Sequence, residues 1–187
     1  MVHLSEHLTA NLGYSLATAG AVMALLTAMQ IVGQVIGGLL GDVINKRWIC
    51  ATCMAGHASG LLLLAYATAP WMIIAFAALH GIAWGGRGPL MVAIRAEYFG
   101  RASFGTIAGL SGIVVTLGNT AGPIVAGVLA DRTGNYEVGF SILAALSALG
   151  AIFFVLATKP QPPLRLRGER EPLAGLIETR VAAASAD

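Results

Sequence analysis

The chain has 187 residues, of which 57% are hydrophobic and only 11% charged, with a formal net charge of +2. An ordinary soluble domain carries about 25% charged residues, so this composition cannot supply a water-facing surface around a core. The two cysteines, Cys50 and Cys53, exclude a disulfide framework, and the chain carries no nucleophile–base constellation, phosphate loop or nucleic-acid patch.

Residues 1–15 are polar enough to lie outside a bilayer or at its edge, as an extracytoplasmic segment. No Asp, Glu, Lys or Arg occurs from His7 to Gly41, and none from Trp48 to Gly86. Between those runs stand Asp42, Asn45, Lys46 and Arg47, which read as a short loop joining two membrane spans. The first span is expected over 16–41, long enough for a hydrocarbon core of roughly 30 Å. The next uncharged run is too long for one crossing, and Ala69-Pro70-Trp71 divides it, because Pro is a poor interior helix residue and Trp favours the interface. Spans are therefore expected over 48–68, 71–94, 104–130 and 138–158, which makes 16–158 an all-α integral membrane domain. Residues 159–187, with Pro-Gln-Pro-Pro followed by alternating charges, read as a mobile cytoplasmic tail, with a weak surface helix over 173–184.

Charge placement sets the orientation. Lys46, Arg47, Arg95, Arg101, Lys159, Arg165, Arg167, Arg170 and Arg180 fall on one side, against Arg132 alone on the other. The loaded side is expected to be cytoplasmic in a plasma or inner membrane, with the N-terminus outside and the C-terminus inside.

The chain also repeats itself. Thr27–Asp42 and Thr116–Asp131 align without gaps: Gln30 with Asn119, Gly33 with Gly122, Gly38 with Gly127, Leu40 with Leu129, Asp42 with Asp131. Two copies three spans apart run in opposite senses through the membrane, as in the inverted repeats of secondary transporters. The last three spans form a three-helix unit, whereas the first two match only the middle and last helices of such a unit. One span, and whatever precedes it, is therefore expected to be missing at the N-terminus or supplied by a partner half.

These residues resemble the major facilitator superfamily of secondary transporters, and specifically helices eight to twelve of its twelve. Gly38-Leu-Leu-Gly-Asp42 with Lys46-Arg47 is similar to the signature loop after the second helix of each half. Gly118-Asn-Thr-Ala-Gly-Pro-Ile-Val-Ala-Gly127 resembles the glycine–proline motif of its antiporters. Ala96–Gly105 and Asp131–Tyr136 look like loops of the monocarboxylate and oxalate–formate branch. The resemblance implies an incomplete six-helix half that moves a small solute, such as an organic anion, by alternating access. It also implies a contact of Asp42 with the start of the fourth span near Ser103–Gly105, and it places the second span, with His57, at the periphery.

Arg87 is the sharpest candidate for substrate binding. It lies about six residues inward of the third span's cytoplasmic end, with no acidic residue at its depth. An intramembrane Arg costs about 2.5–3.5 kcal/mol on insertion scales, so it faces a wet cavity or a partner. It either presents a fixed positive charge to an anionic solute, or snorkels to the surface, or pairs with the missing half. His80, Trp84, Arg87 and Met91 follow a 4-3-4 spacing and share one helical face, which makes His80 and Trp84 cavity-lining candidates; His80 alone also reads as a packing histidine. Gln30 and Gln34, with Asn119 on the repeated helix, either contact solute or hydrogen-bond between helices.

The remaining motif residues are assigned to packing and gating. Gly33, Gly37 and Gly41 form a small-xxx-small ridge, as do Gly81 and Gly85, and Gly118 and Gly122; all three read as helix contact faces. Pro123 is a candidate flex point, and Gly38, Asp42, Lys46, Arg47, Gly127 and Asp131 complete the motif set. Cys50 and Cys53 read as plain thiols and His57 as structural. No cofactor, metal, catalytic residue or nucleic-acid partner is expected; the partners are a small solute, the lipid bilayer and a missing or partner half. A second reading is a membrane protein without transport activity, a truncated half that pairs with or packs like a partner half; vesicles holding only this chain are expected to take up no solute, since a transport path needs two halves around a central cavity.

Overall fold

The computed structural model describes residues 3–100 and 102–161. Within them every regular element is helical: α1 (Leu4–Glu6), which runs on into a turn of π-helix (His7–Asn11), then α2 (Leu16–Val43), α3 (Lys46–Ala65), α4 (Pro70–Phe99), α5 (Phe104–Thr133) and α6 (Glu137–Leu156). The tail expected beyond residue 161, with its surface helix, and Arg101 lie outside the described residues.

Local chemistry sets the helix ends. The Ser15 hydroxyl accepts from the Thr18 N–H at 3.1 Å and caps α2. Asn45 does the same for α3 through the Arg47 N–H at 3.2 Å, so the short charged loop ends as a helix cap. α3 stops at Ala65, three residues short of the expected boundary at 68. The reason is Pro70, which fits the first turn of α4 and forces Ala69 into extended backbone at φ −141°, ψ 148°. α4 continues to Phe99, past the expected 94, and ends where Gly100 takes φ 73°. α5 ends on left-handed Gly134, whose N–H reaches the Ala130 carbonyl at 2.8 Å.

Four of these helices, α2, α3, α5 and α6, are long and apolar enough to cross a membrane. Five crossings were expected from the sequence. α4 has 30 residues and length to spare, but His80, Trp84, Arg87, Pro89 and its glycines lower its hydropathy.

The closest packing is between α2 and α4, with α3 held between α4 and α6. Glycines make the α2–α4 approach possible. A Cβ at Gly33 would overlap the Ile82 carbonyl, and one at Gly37 would overlap the backbone of Gly86. From the other side, Gly81 meets the Leu26 carbonyl and Met29, and Gly85 meets the Gln30 carbonyl. Backbone therefore lies on backbone along both ridges, the geometry that small residues permit between membrane helices.

The Gly118–Gly122 ridge differs. Nothing lies within 4 Å of a Cβ built at Gly118, and only the Leu143 side chain, at 3.8 Å, approaches one at Gly122. These two glycines open space beside α5 instead of closing a helix contact. α5 is accordingly the least covered long helix, with only Ala126 and Ala130 buried.

The apolar core sits at the end where residues 3–14 dock. Leu4 and Leu8 are buried there with Leu64 of α3, Phe76 of α4 and Phe140 of α6. The N-terminal segment, expected to lie outside a bilayer or at its edge, packs as a plug across α2, α3, α4 and α6.

Candidate functional site

The main cavity has a volume of about 420 Å³ and opens between α3, α4, α5 and α6, with His3 and Leu4 of the N-terminal segment at one end. Its walls are mostly apolar, from Leu61, Leu64, Phe140, Leu143 and Leu146. Against these stand a few polar groups: Arg87, His57, His80, Asn119 and Ser147. A second cavity of about 310 Å³ adjoins it, lined by Thr27 and Gln30 of α2 and sharing Leu4, His80 and Trp84 with the first. His80 and Trp84 thus form the wall between the two.

Aromatic and cationic groups run along that wall. The Arg87 guanidinium lies 5.8 Å from the Trp84 ring centre, a cation–π distance. Trp84 stacks on His80 at 6.0 Å and meets the edge of His57 at 5.7 Å. His57 and His80 face each other through their Nδ1 atoms at 3.2 Å. Such a contact requires one ring to donate and the other to accept. Both rings are buried, 4% and 5% exposed, and the Nε2 atom of each has no partner among the described residues.

None of the described residues lining the main cavity is acidic. Arg87 is its one fixed charge among them, surrounded by low-dielectric walls that strengthen its field. The arrangement offers an occupant one cationic contact at the guanidinium and an apolar surface along the leucines and Phe140.

The N-terminal segment closes the far end through a hydrogen-bonded cluster. The Tyr136 hydroxyl donates to Glu6 Oε2 at 2.6 Å and lies 3.1 Å from His3 Nδ1. His3 Nε2 donates to the Pro123 carbonyl at 3.0 Å, beside Gly127. His7 Nε2 donates to the Leu64 carbonyl at 3.2 Å, with its ring against Phe140. The hydrogen bonds from Tyr136 and His3 hold the Glu6 carboxyl below its ordinary value. Burial pushes the Tyr136 hydroxyl up to about 12, with Glu6 adding to it. Burial likewise holds His7 below its ordinary 6.5.

The sequence-derived candidates separate into groups. Arg87, His80, Trp84 and Asn119 meet in the main cavity, with Gly118, Gly122 and Pro123 in its α5 wall. Gln30 faces the adjoining cavity. Gln34 lies apart, in a groove of about 440 Å³ with Gly38, Asp42, Lys46 and Pro89. Met91, on the same helical face as Arg87, lines none of these three.

At the motif loop, Lys46 Nζ pairs with Glu97 Oε2 at 3.3 Å, tying the start of α3 to the end of α4. The Arg47 guanidinium sits 5.1 Å over Trp48. Among the described residues Asp42 forms no hydrogen bond with Ser103 or Gly105, and α5 begins without a side-chain cap. Gly127 and Asp131 stand at the opposite end of α5 from the motif loop, Gly127 against His3.

Sequence reasoning missed His57, Met54 and Ser147 as cavity residues, and His3 as its end. His57 was expected at the periphery. α3 instead turns it inward because Gly60 lets the helix close on His80, whose Cβ is 3.3 Å from where a Cβ of Gly60 would sit. Met54, His57, Leu61 and Leu64 share one face of α3 at a 3-4-3 spacing, but spacing does not say which neighbour that face meets, and only the tertiary contact with α4 brings it to the cavity.

No curated protein matches the chain. Residues 1–186 match the family described as the Major Facilitator Superfamily. With its apolar helices and a cavity that sets a few polar groups among apolar walls, the chain belongs to the Major Facilitator Superfamily, whose members are transporters that move small solutes across the lipid bilayer.

Proposed function

We propose that this chain binds a small organic anion, such as a monocarboxylate, in the Arg87 cavity as a secondary active transporter working by alternating access. The observation that carries the reading is Arg87 itself: a guanidinium against Trp84, at a cavity whose described lining is otherwise apolar or polar without a carboxylate. An anion there provides the counter-charge that no described lining residue offers. The loops Ala96–Gly105 and Asp131–Tyr136, similar to the monocarboxylate and oxalate–formate branch, support the same solute class.

In this reading all five long helices cross the bilayer, α4 included, since a helix that lines a solute path carries polar residues by necessity. The N-terminal plug faces outward, and Lys46, Arg47, Arg95 and Lys159 face the cytoplasm. The adjoining cavities, separated by Trp84 and His80, supply room for a solute on either side of a mobile wall. Pro123, inside α5 and next to the plug, is the flex point.

The test is equilibrium binding of acetate, lactate and benzoate to the full chain in lipid nanodiscs. Wild type binds at least one of them; Arg87→Ala abolishes that binding, and Arg87→Lys weakens it by about tenfold because a point charge replaces a planar fork. Unchanged binding in both variants would remove Arg87 from the site.

A further inference from the structure

We propose that the seam between α5 and α6 is a second recognition point of the main cavity, where the main-chain carbonyl of Asn119 and the Ser147 hydroxyl accept a hydrogen bond from a donor at the far end of the bound anion. This subsite rests on the anion-binding reading above. It narrows the solute to carboxylates whose apolar body carries a hydroxyl or N–H group away from the carboxylate.

The backbone supplies the first acceptor. Within a helix each carbonyl is bonded by the N–H four residues further on, and a proline has no N–H to give. Pro123 inside α5 therefore leaves the Asn119 carbonyl without its helical donor. Asn119, Pro123 and the two glycines between which they alternate, Gly118 and Gly122, all line the cavity. Nothing stands within 4 Å of a Cβ built at Gly118, so the bare step in the helix is open to an occupant. One turn outward the situation differs, because the Pro123 carbonyl is already taken by His3 Nε2 at 3.0 Å.

Side chains supply the rest. Elsewhere on α5 the polar side chains turn back on their own helix: Ser111 donates to the Ile107 carbonyl at 2.7 Å and Thr120 to the Thr116 carbonyl at 3.0 Å. The Asn119 carboxamide and the Ser147 hydroxyl line the cavity and form no such bond among the described residues.

Helix register brings these groups together. A Cβ at Gly139 of α6 would lie 3.1 Å from Ala126 of α5, and one at Gly122 of α5 would lie 3.8 Å from Leu143 of α6. One further turn in the same antiparallel register sets Ser147 level with Gly118 and Asn119. α3 carries that level across the cavity. Its Met54 reaches within 2.7 Å of a Cβ at Gly150 of α6, and a Cβ at its Gly56 would lie 3.3 Å from Ala83 of α4. Ser147 thus stands within about one helical turn of the depth of Trp84, whose ring the Arg87 guanidinium meets at 5.8 Å. α3 packs between α4 and α6, so the seam lies across the cavity from Arg87, with Leu61, Phe140, Leu143 and Leu146 in the walls. A carboxylate on Arg87 and a donor on the seam are then the two ends of one solute, joined by an apolar body. An analogue without the donor leaves the acceptors unpaired once water is displaced, which lowers its affinity.

The experiment is equilibrium binding of benzoate, 4-hydroxybenzoate and 4-methoxybenzoate to the full chain in lipid nanodiscs at neutral pH. The expected result is that 4-hydroxybenzoate binds about tenfold more tightly than either of the others. Ser147→Ala removes one acceptor, and Pro123→Ala returns an N–H to the Asn119 carbonyl; each should narrow the ratio of 4-hydroxybenzoate to benzoate affinity by about threefold. The wild-type comparison decides the matter without either variant if they do not fold. Equal affinity for all three ligands overturns the subsite and leaves the anion site standing. Binding of 4-methoxybenzoate as tight as that of 4-hydroxybenzoate overturns the acceptor assignment, since an ether oxygen cannot donate. An unchanged ratio in both folded variants likewise overturns it. Absence of binding by all three overturns the anion reading, and the subsite with it.

Discussion

Gly85 of α4 lies directly on the Gln30 carbonyl of α2, close enough that a single methyl group at position 85 would overlap it. About two turns further along α2, Gly37 meets the backbone of Gly86 in the same manner. Gly38, its neighbour in sequence, has nothing within 4 Å. Gly85→Ala and Gly37→Ala should each destabilise the helix pair by about 1–3 kcal/mol, since backbone cannot move aside as a side chain can. Gly38→Ala should be neutral or stabilising by about 0.4–1 kcal/mol. Thermal unfolding of the three variants in detergent separates them.

Acid should loosen the N-terminal plug. His7 is held below its ordinary 6.5 by burial, so the unfolded segment binds a proton more readily than the docked one. Its contribution is complete above pH 6.5 and is lost as pH falls toward the lowered folded value. Glu6, held below its ordinary 4.5, acts in the same direction at lower pH. Tyr136 acts oppositely: its contribution is present below pH 10 and is lost as pH rises through about 12. Hydrogen exchange at Leu4–Leu12, corrected for intrinsic rates, should accelerate between neutral pH and pH 5 relative to α6. His7→Leu should remove that acid step; acceleration of the same size in the variant would assign it elsewhere.

Filling the space beside α5 should weaken solute binding without unfolding the chain. Gly122 faces the cavity with only Leu143 near it. Gly122→Leu should reduce carboxylate affinity by about tenfold, equivalent to about 1.4 kcal/mol, while the melting temperature changes little. A large loss of stability would mean that Gly122 is a packing residue after all.

The Lys46–Glu97 pair should matter little for stability. Both side chains are partly exposed, 27% and 47%, and such pairs contribute about 0–1 kcal/mol. Glu97→Gln should therefore shift unfolding by less than about 1 kcal/mol, and the difference should shrink further in high salt as the charges are screened.

Much of this architecture was legible from the residues. Hydropathy and Pro70 divide the apolar chain because helix and bilayer impose fixed lengths, and Arg87, His80 and Trp84 share a face because helical spacing alone puts them there. The glycine ridges on α2 and α4 were readable as contacts for the same reason. Helical spacing cannot say which neighbour a face meets, however. The Gly118–Gly122 ridge has the same pattern and opens a cavity instead.

The sequence by itself determined a membrane protein with an arginine within one apolar helix and a repeated glycine motif, since composition and periodicity act along one chain. Only the tertiary structure decided that His57 turns inward to meet His80, that His3 and Leu4 close the cavity, and that Gln34 stands outside it. Those relationships join residues far apart in sequence, and the close approach of one backbone to another, which brings them together, leaves no periodic trace in either segment.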